Sequence, residues 1–271
     1  MRHLAFVFAL VLLLAAPAQA RTICTIVADA ETGSVLHETG DCDSRVTPAS
    51  TFKIPLALIG FQRGVLTDGQ SPVWPFKQGY PDWGGAPWRQ DVGPAQWMKH
   101  SVLWYSQQLT ARMGKDHFAD AVAALDYGNG DVSGDPGQDN ALERSWISSS
   151  LRISPREQIE FLNRMLAGDL PLSTSAIAKT VQIVDSQSFD SGWTIWGKTG
   201  SAYPRRADGS FDRAHGWGWF VGWAQRGGTT LVFARLTQDD GGESGSAGLR
   251  TRSGLLRDWS SLLPQLATAP Q

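Results

Sequence analysis

A serine and a lysine three residues apart, in Ser50-Thr51-Phe52-Lys53, and a second lysine 145 residues further on, in Lys198-Thr199-Gly200, are the side chains best placed for covalent chemistry. Residues at i and i+3 share one helix face with Cβ atoms about 5–6 Å apart, so a helix opening at Ser50 brings Lys53 within reach of its hydroxyl. A free hydroxyl is a weak nucleophile that needs a base, whereas an exposed lysine is protonated at neutral pH and cannot accept a proton. Lys53 must therefore be desolvated, and Phe52, Ile54, Pro55 and Leu56 supply apolar neighbours that push it toward the neutral amine. Pro55 has no N–H to donate, so a kinked or irregular first turn is expected. Taken alone, Ser-x-x-Lys reads equally well as an ordinary helix start with a surface lysine. The two signals in this order imply a serine that forms an acyl-enzyme, facing a cationic strand.

The elements that must position these residues can be read coarsely. A two-stranded hairpin (Thr22 to Ala28, then Gly33 to His37) leads to Pro48-Ala49-Ser50 and an apolar helix to Ile59. The Pro/Gly/Trp-rich stretch from Thr67 to Pro94, with Trp74, Trp83 and Trp88, is too long for a simple connection and is expected to be a lid, a cleft lining or a hydrophobic cover. Helix resumes at Ala95 and runs, with one break near Met113-Gly114, to Leu125. After a polar loop, Asp126 to Gln138, Ser154-Pro155-Arg156-Glu157 combines a capping box with proline at N1 and starts a helix to Leu166. Strand patterns return at Trp193 to Gly197, Gly216 to Ala224 and Thr229 to Leu236, and an amphipathic helix spans Ala247 to Leu263. A helical insert between strands from both ends of the chain predicts a sheet-based α/β (α+β) domain, a mostly helical subdomain and a cleft where they meet.

Composition narrows the function classes. Met1-Arg2-His3, an apolar run from Leu4 to Ala15, and Ala18-Gln19-Ala20 form a signal-peptide pattern over residues 1–20, so the mature domain, 21–271, is expected in the periplasm. No later apolar run is long enough for a membrane anchor. A net charge of −2 without a basic run argues against nucleic acid as a partner and leaves small molecules or cell-wall material. Cys24 and Cys42 are the two cysteines; an oxidising compartment favours a disulfide, with two buried free thiols as the alternative. Five histidines show no metal-ligand spacing, and no metal is expected.

Four elements in order carry a resemblance: Pro48-Ala49-Ser50-Thr51-Phe52-Lys53, Ser101 after Trp97-Met98-Lys99, Tyr127-Gly128-Asn129, and Lys198-Thr199-Gly200. With these the mature chain resembles the class D, oxacillinase-type serine β-lactamases over essentially its whole length. The resemblance implies the fold shared by serine β-lactamases and penicillin-binding-protein transpeptidases: an antiparallel sheet from about 21–48 and 190–265, flanked by helices, and a helical part from about 50–189. It also implies hydrolysis of penicillin-type β-lactams through a Ser50 acyl-enzyme, with Lys53 carbamylated by CO2 or bicarbonate as base in both half-reactions and no other cofactor. Trp146 matches the tryptophan that holds the carbamate, and Ser101 the proton relay between Lys198 and the leaving nitrogen. Backbone N–H groups of Ser50 and Ser201 would form the oxyanion hole, and Thr199, Lys198 and Arg250 would bind the substrate carboxylate, with Arg252 as the competing arginine. Gly200, Tyr127, Asn129, Leu103, Trp97 and Met98 complete the expected substrate-binding set. Several of these have a plainer reading: Trp146, Trp97 and Met98 as core, Tyr127-Gly128-Asn129 as a turn.

Leu103 departs from the valine usual at that position. If it faces Lys53, the extra methylene would crowd the carbamate or the deacylating water. Two other activities share the serine and lysine logic: a penicillin-binding peptidase or transpeptidase, and a β-lactam sensor that acylates without turnover. The first typically carries an asparagine two residues after the Ser101 equivalent, where this chain has Leu103; the second is tethered to a transmembrane segment, of which the mature chain shows none. The chain is expected to act as a monomer or homodimer.

Overall fold

A computed structural model describes residues 20–241 and 243–262; the signal-peptide segment lies outside them except for Ala20. The described residues form a six-stranded antiparallel sheet in the order β2-β1-β6-β5-β4-β3. Its strands are β1 (Arg21–Asp29), β2 (Val35–Gly40), β3 (Ser186–Ser188), β4 (Thr194–Ala202), β5 (Trp217–Arg226) and β6 (Thr229–Gln238). The helices are α1 (Lys53–Gln62), α2 (Pro94–His100), α3 (Leu103–Met113), α4 (Lys115–Ala124), α5 (Ala141–Arg144), α6 (Pro155–Ala167), α7 (Thr174–Ile183) and α8 (Ala247–Leu262).

Strand alternation divides the core between the two faces of the sheet. Ile26, Trp219, Val221, Trp223, Val232, Ala234 and Leu236 join the larger core with α6 and the helical layer. Val27, Phe220, Ala224, Leu231 and Phe233 pack with Leu255 and Trp259 of α8 on the opposite face. The sheet is buried on both sides, which explains why β5 and β6 read as nearly continuous apolar runs.

The N-terminal hairpin, the β5–β6 pair, α6 and α8 lie where the sequence places them. Ser154 and Glu157 form the expected reciprocal cap on α6. Helices α5 and α7 and the three-residue strand β3 were not anticipated: α5 and β3 are too short to show a period, and the buried stripe of α7, Ala176, Thr180 and Ile183, carries one large apolar side chain. The helix expected from Ala95 is broken at Ser101-Val102 as well as at Gly114. Ser101 takes a left-handed conformation (φ 56°) and Val102 is extended, which ends α2 and restarts the chain as α3. The 67–94 segment is a cover: Trp74 stacks on Tyr105 at 4.3 Å, and buried Trp88 donates from Nε1 to the His100 carbonyl at 2.8 Å. Trp83 lies on Trp88 and stays exposed. Cys24 and Cys42 are joined in a disulfide that ties β1 to the chain after β2.

Candidate active site

Ser50 sits in a 3-10 turn, Ala49–Phe52, that runs directly into α1. The tight turn answers the constraint from Pro55, whose missing N–H leaves the carbonyl four residues earlier without a helical donor. Ala49 is held at φ 51°, a left-handed conformation that an alanine adopts only under constraint from its surroundings. Those surroundings are specific. Ala49 N donates to the Trp146 carbonyl (3.0 Å), Thr47 Oγ1 donates to the same carbonyl (2.9 Å), and Trp219 Nε1 donates to the Thr47 carbonyl (2.9 Å). Behind the turn, Thr51 Oγ1 donates to the Pro48 carbonyl (2.7 Å) and accepts from Gln158 Nε2 (2.9 Å), whose amide oxygen accepts from Tyr127 (3.3 Å). A fully satisfied buried network of this kind fixes a nucleophile in one geometry.

Lys53 Nζ lies 3.4 Å from Ser50 Oγ. The lysine is 1 % exposed, and burial, reinforced by the charge of Lys198, holds its pKa well below the ordinary lysine value. Opposite stands β4. Lys198 pairs across the sheet with Val221 and Gly200 with Trp219, so both face the helical layer. Lys198 donates to Ser101 Oγ and, at 3.0 Å, to the Thr199 carbonyl. Burial lowers its pKa to about 7, against a smaller opposing pull from Asp185. The left-handed stop of α2 is what turns the Ser101 hydroxyl toward this lysine. Gly200 lets the nucleophile turn press on the strand: a Cβ there would lie 2.8 Å from the Pro48 carbonyl oxygen and 3.3 Å from Ser50 N.

Thr199 and Ser201 alternate to the α8 side of the strand. Ser201 Oγ is 2.9 Å from Ser246 Oγ and accepts from Gly248 N at 2.9 Å. Arg250, one turn into α8, has its guanidinium against Asp239, whereas Arg252 reaches out to Gln187 at 2.7 Å. Strand β3 pairs only with Thr194 to Trp196, so the edge of β4 beyond Gly197 is left open beside Ser50.

The structure thus gathers Ser50, Lys53, Ser101, Lys198 and Gly200 in one place, with Trp146 stacked on Phe52 at 5.7 Å behind them. Trp97, Met98 and Tyr127 are at most 1 % exposed and packed in the larger core. Trp97 Nε1 is spent on Ser106 Oγ (2.9 Å). The Asn129 side chain donates to the Ser150 carbonyl and accepts from the Arg152 amide, both at 2.9 Å, and so clips two loops together. Leu103 opens α3, two residues from Ser101, and is 8 % exposed. Sequence reasoning missed Thr47, Gln158 and Asp239. Gln158, a polar residue on the buried face of α6, was the one with a readable signal.

A buried lysine beside a serine on a strained turn, opposite a second buried lysine on the open part of β4 in such a sheet, defines a serine acyl-transfer enzyme of transpeptidase architecture. The family model described as the penicillin binding protein transpeptidase domain matches residues 23–257. The chain is 47 % identical over 214 residues to "Beta-lactamase OXA-9" of Klebsiella pneumoniae, covering 79 % of this chain and 78 % of that one. It is 34 % identical over 201 residues to "Beta-lactamase OXA-1" of Escherichia coli, covering 73 % and 69 %. The crystal structure of the OXA-427 class D β-lactamase superposes with a TM-score of 0.83 at 44 % identity, over 90 % of this chain and 99 % of that one. The chain belongs to the class D serine β-lactamases, within the transpeptidase-domain family.

Proposed function

We propose that the protein hydrolyses the β-lactam amide of penicillin-type antibiotics through an acyl-enzyme on Ser50. The observation that carries this reading is the 3.4 Å approach of a fully buried, deprotonation-prone Lys53 to Ser50 Oγ. In acylation, Ser50 Oγ loses its proton toward Lys53 and bonds to the lactam carbonyl carbon. The ring C–N bond then breaks, and the nitrogen takes a proton from Ser101, which draws its replacement from Lys198; the proton held on Lys53 passes to Lys198, so that Lys53 is free to act as base again. The Ser50 and Ser201 amides would stabilise the charge that builds on the carbonyl oxygen. Water then splits the ester, returning the proton to Ser50.

A carbamate on Lys53 supplies, when present, a general base for both half-reactions. The residues fit it: a neutral amine is what reacts with CO2, and burial holds Lys53 toward that form. Trp146, stacked on Phe52 beside that lysine, is assigned to hold the added group. Thr199, Lys198 and Arg250 are assigned to the substrate carboxylate. Export to the periplasm belongs to the same reading. It is supported by the Cys24–Cys42 disulfide, which an oxidising compartment sustains; among the described residues no helix is long and apolar enough to cross a membrane.

The test is penicillin turnover by the mature protein with and without bicarbonate, followed by mass spectrometry. Repeated, bicarbonate-stimulated turnover is expected, and Lys53→Ala should slow acylation and deacylation together. A single persistent acyl group on Ser50 would instead assign a sensor or a cell-wall enzyme, and intact deacylation in the variant would sink the shared base.

A further inference from the structure

Arg250 is not a free cation. Its Nη2 lies 2.7 Å from both carboxylate oxygens of Asp239, and Nη1 donates to the Ser244 carbonyl. Its Nε is buried and finds no acceptor among the described residues. Asp239 follows β6, is 6 % exposed, and is itself fixed by its N–H on the Gly216 carbonyl at 2.8 Å. Glu243 adds a second carboxylate close enough to act on Asp239. One guanidinium therefore faces two acids. The group is not remote from the cleft. Gly248 packs so closely on Gly200 that an added Cβ would lie 2.5 Å from the Gly200 carbonyl oxygen, and Ser201 Oγ is bonded to the same end of α8.

An arginine in this state offers a substrate anion hydrogen bonds but little net positive charge, because each approaching carboxylate must share the guanidinium with Asp239. We propose that Asp239 is a specificity-setting positioning residue: by pairing with Arg250 it weakens ionic recognition of the substrate carboxylate, so that the enzyme depends less on that charge than an unpaired arginine would allow. This rests on the assignment of Arg250 to the substrate carboxylate.

The experiment compares benzylpenicillin with its uncharged methyl ester on the mature enzyme, as KM and kcat separately. Asp239→Asn keeps an oxygen to hold Arg250 and removes the competing charge. It should lower KM for the carboxylate about tenfold, the order expected when like charges no longer share one cation at a partly exposed site, and leave kcat and the ester unchanged. Arg250→Ala should raise KM for the carboxylate alone, and the Asp239→Asn gain should vanish in the double variant. An unchanged or raised carboxylate KM in Asp239→Asn, while Arg250→Ala still weakens binding, overturns the proposal and leaves the carboxylate assignment standing. An unchanged KM in Arg250→Ala overturns both. A parallel fall in the KM of the ester would mean that Asp239 acts on cleft shape, and also overturns the proposal.

Discussion

Replacing Gly200 by alanine tests whether the contact between the Ser50 turn and strand β4 sets the rate. The new Cβ would sit 2.8 Å from the Pro48 carbonyl oxygen, 3.2 Å from Thr51 Cγ2 and 3.3 Å from Ser50 N. The first of these is backbone and cannot swing away, so strand and turn must separate by about half an ångström, and misplacements on that scale are costly in catalysis. The methyl also intrudes on Ser50 N, assigned as an oxyanion donor, and loss of one such donor costs about 10²–10³ in rate. Together these imply a fall of about a hundredfold in kcat/KM for a penicillin, mostly in kcat. Overpacking of about 1–3 kcal/mol corresponds to a loss of about 2–12 °C in Tm for a domain of this size. The assay pairs steady-state hydrolysis with thermal unfolding, and Gly228→Ala serves as control, since a Cβ there meets open space. Gly200→Ala activity within threefold of the parent would refute the idea that this close approach holds the reacting groups in place.

Lys198, with its pKa lowered to about 7, is deprotonated in the folded chain at a pH where the unfolded chain still binds the proton, so stability rises with pH from about 7 to the ordinary lysine value of 10.5. Lys198→Met should flatten that rise, stabilise the fold most below pH 7 and abolish efficient acylation; a Tm profile parallel to that of the parent would contradict the buried-lysine assignment. Replacing Cys24 and Cys42 together opens a cross-link spanning 18 residues and should cost about 3 kcal/mol, read as a Tm lowered by about 6–12 °C with unchanged activity in the folded range. A Tm that ignores the change would show that the cross-link contributes nothing. Leu103→Val should speed turnover of bulky substrates; unchanged acylation and deacylation rates would remove the basis for crowding at this position.

Most of the fold was legible because its elements obey local rules. The Ser154–Glu157 box, Pro155 at N1 and the apolar runs of β5 and β6 are decided by neighbours in sequence. Helix α7 and strand β3 were not legible, since their residues are held mainly by packing that forms only once α1 and β4 are in place. How deeply Trp97, Met98 and Tyr127 are buried, and that Asn129 bonds Ser150 and Arg152, was not legible for a related reason: residue type does not say which side of a helix or turn packs inward. The residue types, spacing and order by themselves singled out Ser50 as the candidate nucleophile, with Lys53 as its partner and the strand that bears Lys198, because a hydroxyl and an amine at i and i+3 are brought together by any helical turn. Tertiary structure alone decided that Lys198 is dry as well as Lys53, that Ser101 turns left-handed onto Lys198, that Gly200 lies against Ser50 and that Arg250 is shared with Asp239, since desolvation and charge pairing depend on groups distant in sequence meeting in space.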